Sequence, residues 1–199
     1  LQEFVEGIEY CTHSTVRDGE ILLHCCCLSS DFQLRYKNVV HEKIFTWVKK
    51  FVAQLRLTGQ ISFDFIENSD GDILPIECNP RTHSAITSFY NSEHLAEAYI
   101  NPSLNGGFPV FPEANARETY WLYHELFDLF SNFSVSNIRE KFKLFLNGKE
   151  AIFDMRDPLP FLMVYHWQIP CLLAGALISG ESWLRIDFNI GKLVEPGGD

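Results

Sequence analysis

The chain has 199 residues, with 26 acidic against 16 basic side chains and a formal net charge of −10. That balance argues against a nucleic-acid partner, which needs a basic face. A hydrophobic content of 46% with 21% charged residues places it among globular chains of one or two domains.

In chain order, residues 1–9 (LQEFVEGIE) open extended and lead into a strand over 9–16. Asp18-Gly19 is a tight-turn signal, and residues 21–28 return antiparallel. Six cysteines are present and none forms a C-x-x-C pair. Three of them, Cys25, Cys26 and Cys27, fall in the apolar return strand, which reads as reduced thiols in a cytoplasmic protein. Residues 39–57 carry Val40, Ile44, Trp47, Val48, Phe51 and Leu55 at helical spacing, and Gly59 is the expected stop. This helix is expected to cover the back of two hairpins.

The second hairpin spans residues 61–66 and 73–78 around Asp70-Gly71, another type I′ signal. With those two residues as the loop, Asp64 faces Glu77, Ser62 faces Asn79 and Pro75 faces Ile66. One face then carries Ser62, Asp64, Ile66, Pro75, Glu77 and Asn79. The other carries Phe63, Phe65, Leu74, Ile76 and Cys78 and is expected to be core. Pro75 is acceptable if it lies at an edge or a bulge.

Further along, residues 92–100 read as a short helix capped by Ser92, and 101–112 as a linker with two Gly and three Pro. Helices are expected over 118–130 and over 137–147, the latter capped by Ser136. Asp157 is expected to cap a further helix opened by Pro158. Residues 161–179 are apolar enough to suggest a membrane span, but His166, Gln168 and Pro170 interrupt them, which predicts a buried helix and no membrane. Residues 183–194 read as one or two strands. The pattern is α+β: an antiparallel sheet with flanking helices over 1–104, then a mostly helical region over 105–199.

Two carboxylates opposite each other on a strand pair repel. A divalent cation removes the conflict, and Asp64, Glu77 and the Asn79 carbonyl are hard oxygen donors suited to Mg²⁺ shared with a phosphate. Arg81, just beyond, adds a permanently charged fork for a phosphoryl group. The alternatives are a solvated strand face with incidental acids, or a divalent-metal-binding module with no enzymatic role. No G-x-x-x-x-G-K-[ST] and no G-x-G-x-x-G sequence is present.

Asp64, Glu77 and Asn79, followed by Pro80-Arg81, resemble the metal-binding strands of the ATP-grasp superfamily. Those enzymes couple an acid to an amine through a phosphorylated intermediate. The longer string IECNPRTHSAITSFYN, with DPLPFLMVYHWQIP and IDFNIGKLVEPGGD, is similar to the branch that joins glycine to 4-deoxygadusol in mycosporine biosynthesis.

The resemblance implies ATP and Mg²⁺, with Mn²⁺ as a possible substitute. Gln2, Glu3, Phe4 and Val5 would line adenine, and Glu9 would accept from the ribose. Gln2 stands where the family often has Glu. Glu77 would be shared between two Mg²⁺, with Asp64 on one and Asn79 on the other. Arg81 would be catalytic, holding the phosphorylated intermediate or the transferring γ-phosphoryl group. His83 and Ser84 would lie at the small-molecule substrates, an acidic enol or carboxylate acceptor and an amino acid. Another ATP-grasp carboxylate–amine ligase remains open beside the mycosporine branch. The chain opens on Leu1 at the adenine hinge, so it is expected to be a fragment, inactive without the missing N-terminal half of the ATP-grasp enzyme.

Overall fold

The computed structural model describes residues 4–29, 35–100 and 109–180. Gln2, Glu3, the proposed 104/105 boundary and the strands expected over 183–194 lie outside the described residues. Strands β1 (Ile8–Arg17), β2 (Glu20–Leu28), β4 (Gly59–Glu67) and β5 (Ile73–Asn79) form one antiparallel sheet in the order β2-β1-β4-β5. Asp18 and Gly19 both take positive φ (49° and 85°), as the first hairpin's turn requires.

Between β2 and β4 runs helix α1 (Glu42–Leu55). It is shorter than expected because His41 caps it, its Nδ1 accepting from the Ile44 N–H, and because Arg56 turns left-handed at φ 50°, ahead of Gly59. Ile44, Val48 and Val52 are buried against Tyr10, Val16, Cys26, Ile61, Phe63 and Phe65. Val40 and Leu55, expected in that stripe, are exposed, and Val52 takes their place in the core.

The opposite face is covered by the chain that follows β5. A 3₁₀ turn (Ser84–Phe89) and α2 (Leu95–Ile100) place Ala85, Phe89 and Ala98 against Cys11, Leu23, Cys25 and Cys27. The expected Ser92 cap does not form: its hydroxyl is buried without a partner, and α2 begins three residues later. β1 and β4 are thus covered on both faces. All six cysteines are free, four of them buried.

A second, three-stranded sheet joins the two halves of the chain: β3 (Arg35–Tyr36), β6 (Thr119–Tyr120) and β7 (Lys149–Glu150), with β6 central. Helices α3 (Leu122–Ser131) and α4 (Val135–Asn147) lie between β6 and β7. Ser134, not Ser136, caps α4, because its hydroxyl accepts from the Asn137 N–H at 3.1 Å. α5 (Leu159–Met163), a π-helical turn (Val164–Gln168) and α6 (Ile169–Ser179) run on continuously. Pro158 stands at the N-cap with no side-chain hydrogen bond, so Asp157 does not cap.

The segment Leu159–Ser179 is long and apolar enough to cross a membrane by length and composition. It is not the buried helix expected from its sequence. Tyr165 and Ile169 pack on Trp121, while Leu162, Trp167, Leu177 and Ile178 stay exposed. With apolar residues on every side, one docking face leaves the remainder uncovered.

Three histidines are sealed inside the sheet layers. Burial, then repulsion from His83, lowers His13 to about 4; burial, then His13, lowers His24 to about 3. Burial and Arg81 lower His83 to about 4, against the pull of Glu77. These values lie below the ~6.5 of an unfolded histidine, so the unfolded chain binds more protons between about pH 4 and 6.5. Their contribution to stability is therefore complete above that window and is lost as pH falls through it. Urea midpoints are expected to fall steadily from pH 7 to 5, since a tenfold change in a histidine's proton affinity on folding corresponds to about 1.4 kcal/mol. Unchanged midpoints over that range would contradict the sealed histidines.

Candidate metal and nucleotide site

The hairpin β4–β5 reaches its register by an unexpected route. The connection is the five-residue loop 68–72, in which Gly71 has φ 77° and Asp70 does not take positive φ. The two-residue type I′ turn is replaced because the Asn68 carboxamide organises the loop, accepting from the N–H groups of Asp70 (3.0 Å) and Asp72 (2.8 Å). Next to the loop, Glu67 therefore pairs with Ile73, one residue away from the expected register. A bulge at Ile76 restores it, and Asp64 faces Glu77 and Ser62 faces Asn79 as expected. Pro75 lies opposite Phe65 rather than Ile66, on the sheet's edge strand, where a missing N–H is tolerated.

The expected core face of β5 does not exist. Ile76 and Cys78 are exposed, and within β5 it is Ile73 that packs against the α1 core. The helix covers β4 but leaves the edge strand open to solvent. Asp64 thus sits on a covered strand and Glu77 on an uncovered one.

Asp64 is 9% exposed, and its Oδ1 is buried without a hydrogen-bond partner. Burial, then the charge of Glu77 and a hydrogen bond shared with it, push the Asp64 carboxyl up to about 6; Arg81 opposes and Glu9 adds to the rise. Beside it, the β1–β4 ladder opens between Cys11↔Asp64 and Ser14↔Ile61. Thr12 Oγ1 fills the gap, donating to the Phe63 carbonyl (3.1 Å) and accepting from the Phe63 N–H (3.0 Å).

Asn79 is half-buried, and its backbone carbonyl accepts from the Arg81 N–H at 2.8 Å and from Ser62 Oγ at 3.4 Å. Arg81 is exposed. Glu9 lies opposite Ile66, on the same sheet face as Asp64, and is exposed. Along that face a cavity of about 580 Å³ is lined by Phe4, Val5, Glu6, Gly7, Glu9, Ile66 and Ile76. The volume is in the range of small-molecule sites. Gly7 is required where the hinge crosses β4, because a Cβ there would meet the Glu67 carbonyl at 2.2 Å.

The remaining expected residues lie deeper. His83 is 4% exposed; its Nδ1 accepts from the Ala85 N–H at 3.1 Å, capping the 3₁₀ turn. Its own backbone N–H donates to His13 Nδ1 at 3.4 Å. Ser84 is half-buried, and its side chain acts on the Tyr36 phenol against the burial that raises that group's pKa. Sequence reasoning missed Tyr36 and His13: a two-residue strand has no readable period, and His13 falls inside a strand whose fellow side chains read simply as core.

A divalent ion fits this donor set. Asp64 offers an oxygen with no protein partner, and its ionised form is held back chiefly by burial and by the facing carboxylate. Among the described residues no three His, Cys, Asp or Glu side chains gather into a metal-holding group. Two carboxylates and an amide oxygen would suit a cation that keeps other oxygen ligands, as Mg²⁺ does.

No protein-family model matches the chain, and no curated protein matches it. Part of the chain is similar to solved structures. One is the L-amino acid ligase from Bacillus licheniformis, with 18% identity, 44% of this chain and 25% of that chain covered, and a TM-score of 0.34. Another is the phosphoribosylaminoimidazole carboxylase ATPase subunit from Aquifex aeolicus, with 16% identity, coverage of 49% and 34%, and a TM-score of 0.39. A third is the biotin carboxylase domain of a single-chain bacterial carboxylase, with 16% identity, coverage of 55% and 30%, and a TM-score of 0.38. The matched part spans between a quarter and about a third of the length of these chains.

The raised Asp64 carboxyl gives a stability test. Its folded value exceeds its unfolded one, so ionisation penalises the fold above about pH 6, and the penalty disappears below about pH 4. In metal-free buffer at pH 8, Asp64→Asn is expected to stabilise the chain by about 1–3 kcal/mol, with the gain shrinking toward pH 5. Urea unfolding with a chelator present checks this; a destabilised variant at pH 8 would contradict the charge conflict.

Proposed function

We propose that the chain carries one wall of an ATP-dependent ligase site of the ATP-grasp type, in which Asp64, Glu77 and Asn79 hold Mg²⁺ against nucleotide phosphates. The observation that carries this reading is the unpartnered, buried Oδ1 of Asp64 facing Glu77 across a strand pair. The hinge cavity on the same sheet face and the exposed Arg81 at the end of β5 support it.

Phe4 and Val5 would give adenine an apolar slot, and Glu9 would accept from the ribose hydroxyls. Mg²⁺, when bound, neutralises charge on the phosphates. Arg81 holds the phosphoryl oxygens in a bidentate fork. The bulge at Ile76 sets the register that places Glu77 opposite Asp64, so the donor set depends on backbone geometry as well as on residue type.

The finer reading is C–N bond formation between a phosphorylated 4-deoxygadusol-like acceptor and glycine, as in mycosporine biosynthesis. The resemblance of residues 76–91 to that branch supports it. The acceptor would lie beyond Arg81, over the segment that His83 anchors.

The test is Mn²⁺ binding to the purified chain with ADP, followed by electron paramagnetic resonance with Mg²⁺ as competitor. Asp64→Asn and Glu77→Gln are each expected to weaken Mn²⁺ binding about tenfold or more, from the 1.5–3 kcal/mol typical of a charged contact. Affinity unchanged in both variants would sink the reading.

A further inference from the structure

The segment that carries Arg81, His83 and Ser84 is held from below by a side chain that belongs to the second sheet. Tyr36 is 2% exposed, and its ring meets the His83 ring edge-on at 5.6 Å between centroids; the Ser84 side chain beside its phenol acts against the burial that raises that group's pKa. Tyr36 stands on β3, which pairs with β6, Tyr36 opposite Thr119, and its side chain joins the core formed with Ala85, Phe89 and Ala98. Thr119 in turn shares a hydroxyl hydrogen bond with Thr87 at 2.8 Å, tying β6 to the 3₁₀ turn beneath the site.

The neighbouring Arg35 points to the other side, as alternation along a strand requires. Its guanidinium forks onto Glu125 of α3, Nε to Oε1 at 2.9 Å and Nη2 to Oε2 at 2.8 Å, and its Nη1 reaches Glu140 of α4 at 2.6 Å. Glu125 is 1% exposed and is also held by Lys141, which is 4% exposed and bonds Asp128 as well. Buried ion clusters are weak devices for stability alone, since apolar replacements often do as well. What a bidentate fork gives is direction: it fixes the orientation of Arg35, and with it the direction in which the next side chain leaves the strand.

We propose that Tyr36 is a positioning residue of the candidate site, and that the Arg35–Glu125–Lys141 cluster of α3 and α4 is the brace that aims it at the His83–Ser84 segment. The C-terminal helices then serve the site at a distance, through one dipeptide. The functional half of this inference rests on the metal-site reading above; the structural half does not.

The experiment compares Tyr36→Phe, Arg35→Lys and the double variant in the full chain with histidine labelled for NMR. Arg35→Lys keeps the charge and loses the fork. Both single variants are expected to shift the His83 ring resonance while leaving those of His41 and His94 in place, and to weaken Mn²⁺ binding with ADP about tenfold, by loosening the Arg81–Ser84 segment that follows Asn79. If Arg35 acts through Tyr36, the double variant binds Mn²⁺ no more weakly than Tyr36→Phe alone. An unmoved His83 resonance in Tyr36→Phe overturns the proposal, and so do single-variant effects that add in full. Should Arg35→Lys fail to fold, Tyr36→Phe decides by the same resonance. The His83 signal needs neither metal nor nucleotide. A wild-type chain that binds no Mn²⁺ therefore refutes the ligase reading, and the brace still stands or falls on its own signal.

Discussion

Asp64 and Glu77 face each other across two strands of unequal burial, and much of the molecule follows from holding them there. Like charges opposite one another weaken a strand pair, and here one partner is on a strand covered on both sides. The sheet does not relieve the conflict with a lysine or an arginine between the two. It leaves Asp64 Oδ1 without a partner and keeps Arg81 exposed, beyond the end of the strand. Retaining that local instability in an otherwise well-packed layer is characteristic of functional sites.

The surrounding structure keeps the pair rigid. α1 fills one face of the sheet with Ile44, Val48 and Val52, and the 3₁₀ turn fills the other with Ala85 and Phe89. Thr12 wedges the ladder beside Asp64 and so fixes how far β1 stands from β4 there. His13 and Tyr36 hold the segment that leaves β5, one from the first sheet and one from the second. Edge-strand exposure gives Glu77 access to solvent, whereas burial gives Asp64 its raised carboxyl. The two roles come from position in the sheet, not from the residue types.

The sheet, its hairpins and α1 were legible because period-2 and period-3.6 patterns are local and strong. The pairing of Asp64 with Glu77 was legible as well, although by cancellation: the longer loop shifts the register beside it by one residue, and the bulge at Ile76 compensates. A bulge leaves little trace in sequence, since it depends on how Asn68 and Pro75 divide the backbone hydrogen bonds between loop and edge. The exposed face of β5 was not legible, because alternation reports which residues share a side and not whether anything covers that side. The same limit explains the helix Leu159–Ser179, where His166, Gln168 and Pro170 within an apolar run suggested a buried helix. The Arg35–Tyr36 strand and its ion cluster were invisible, because the strand's pairing partners and the acids that hold Arg35 all lie in a distant part of the chain, beyond α2.

A divalent ion bound between Asp64 and Glu77 would resolve their conflict. Anomalous diffraction from crystals of the chain grown with Mn²⁺ and ADP tests it most directly. The account predicts a Mn²⁺ peak about 2.0–2.4 Å from a carboxylate oxygen of both Asp64 and Glu77, with the Asn79 side chain beside it. A map with no peak between the two carboxylates, and a protonated Asp64 simply hydrogen-bonded to Glu77, would contradict it.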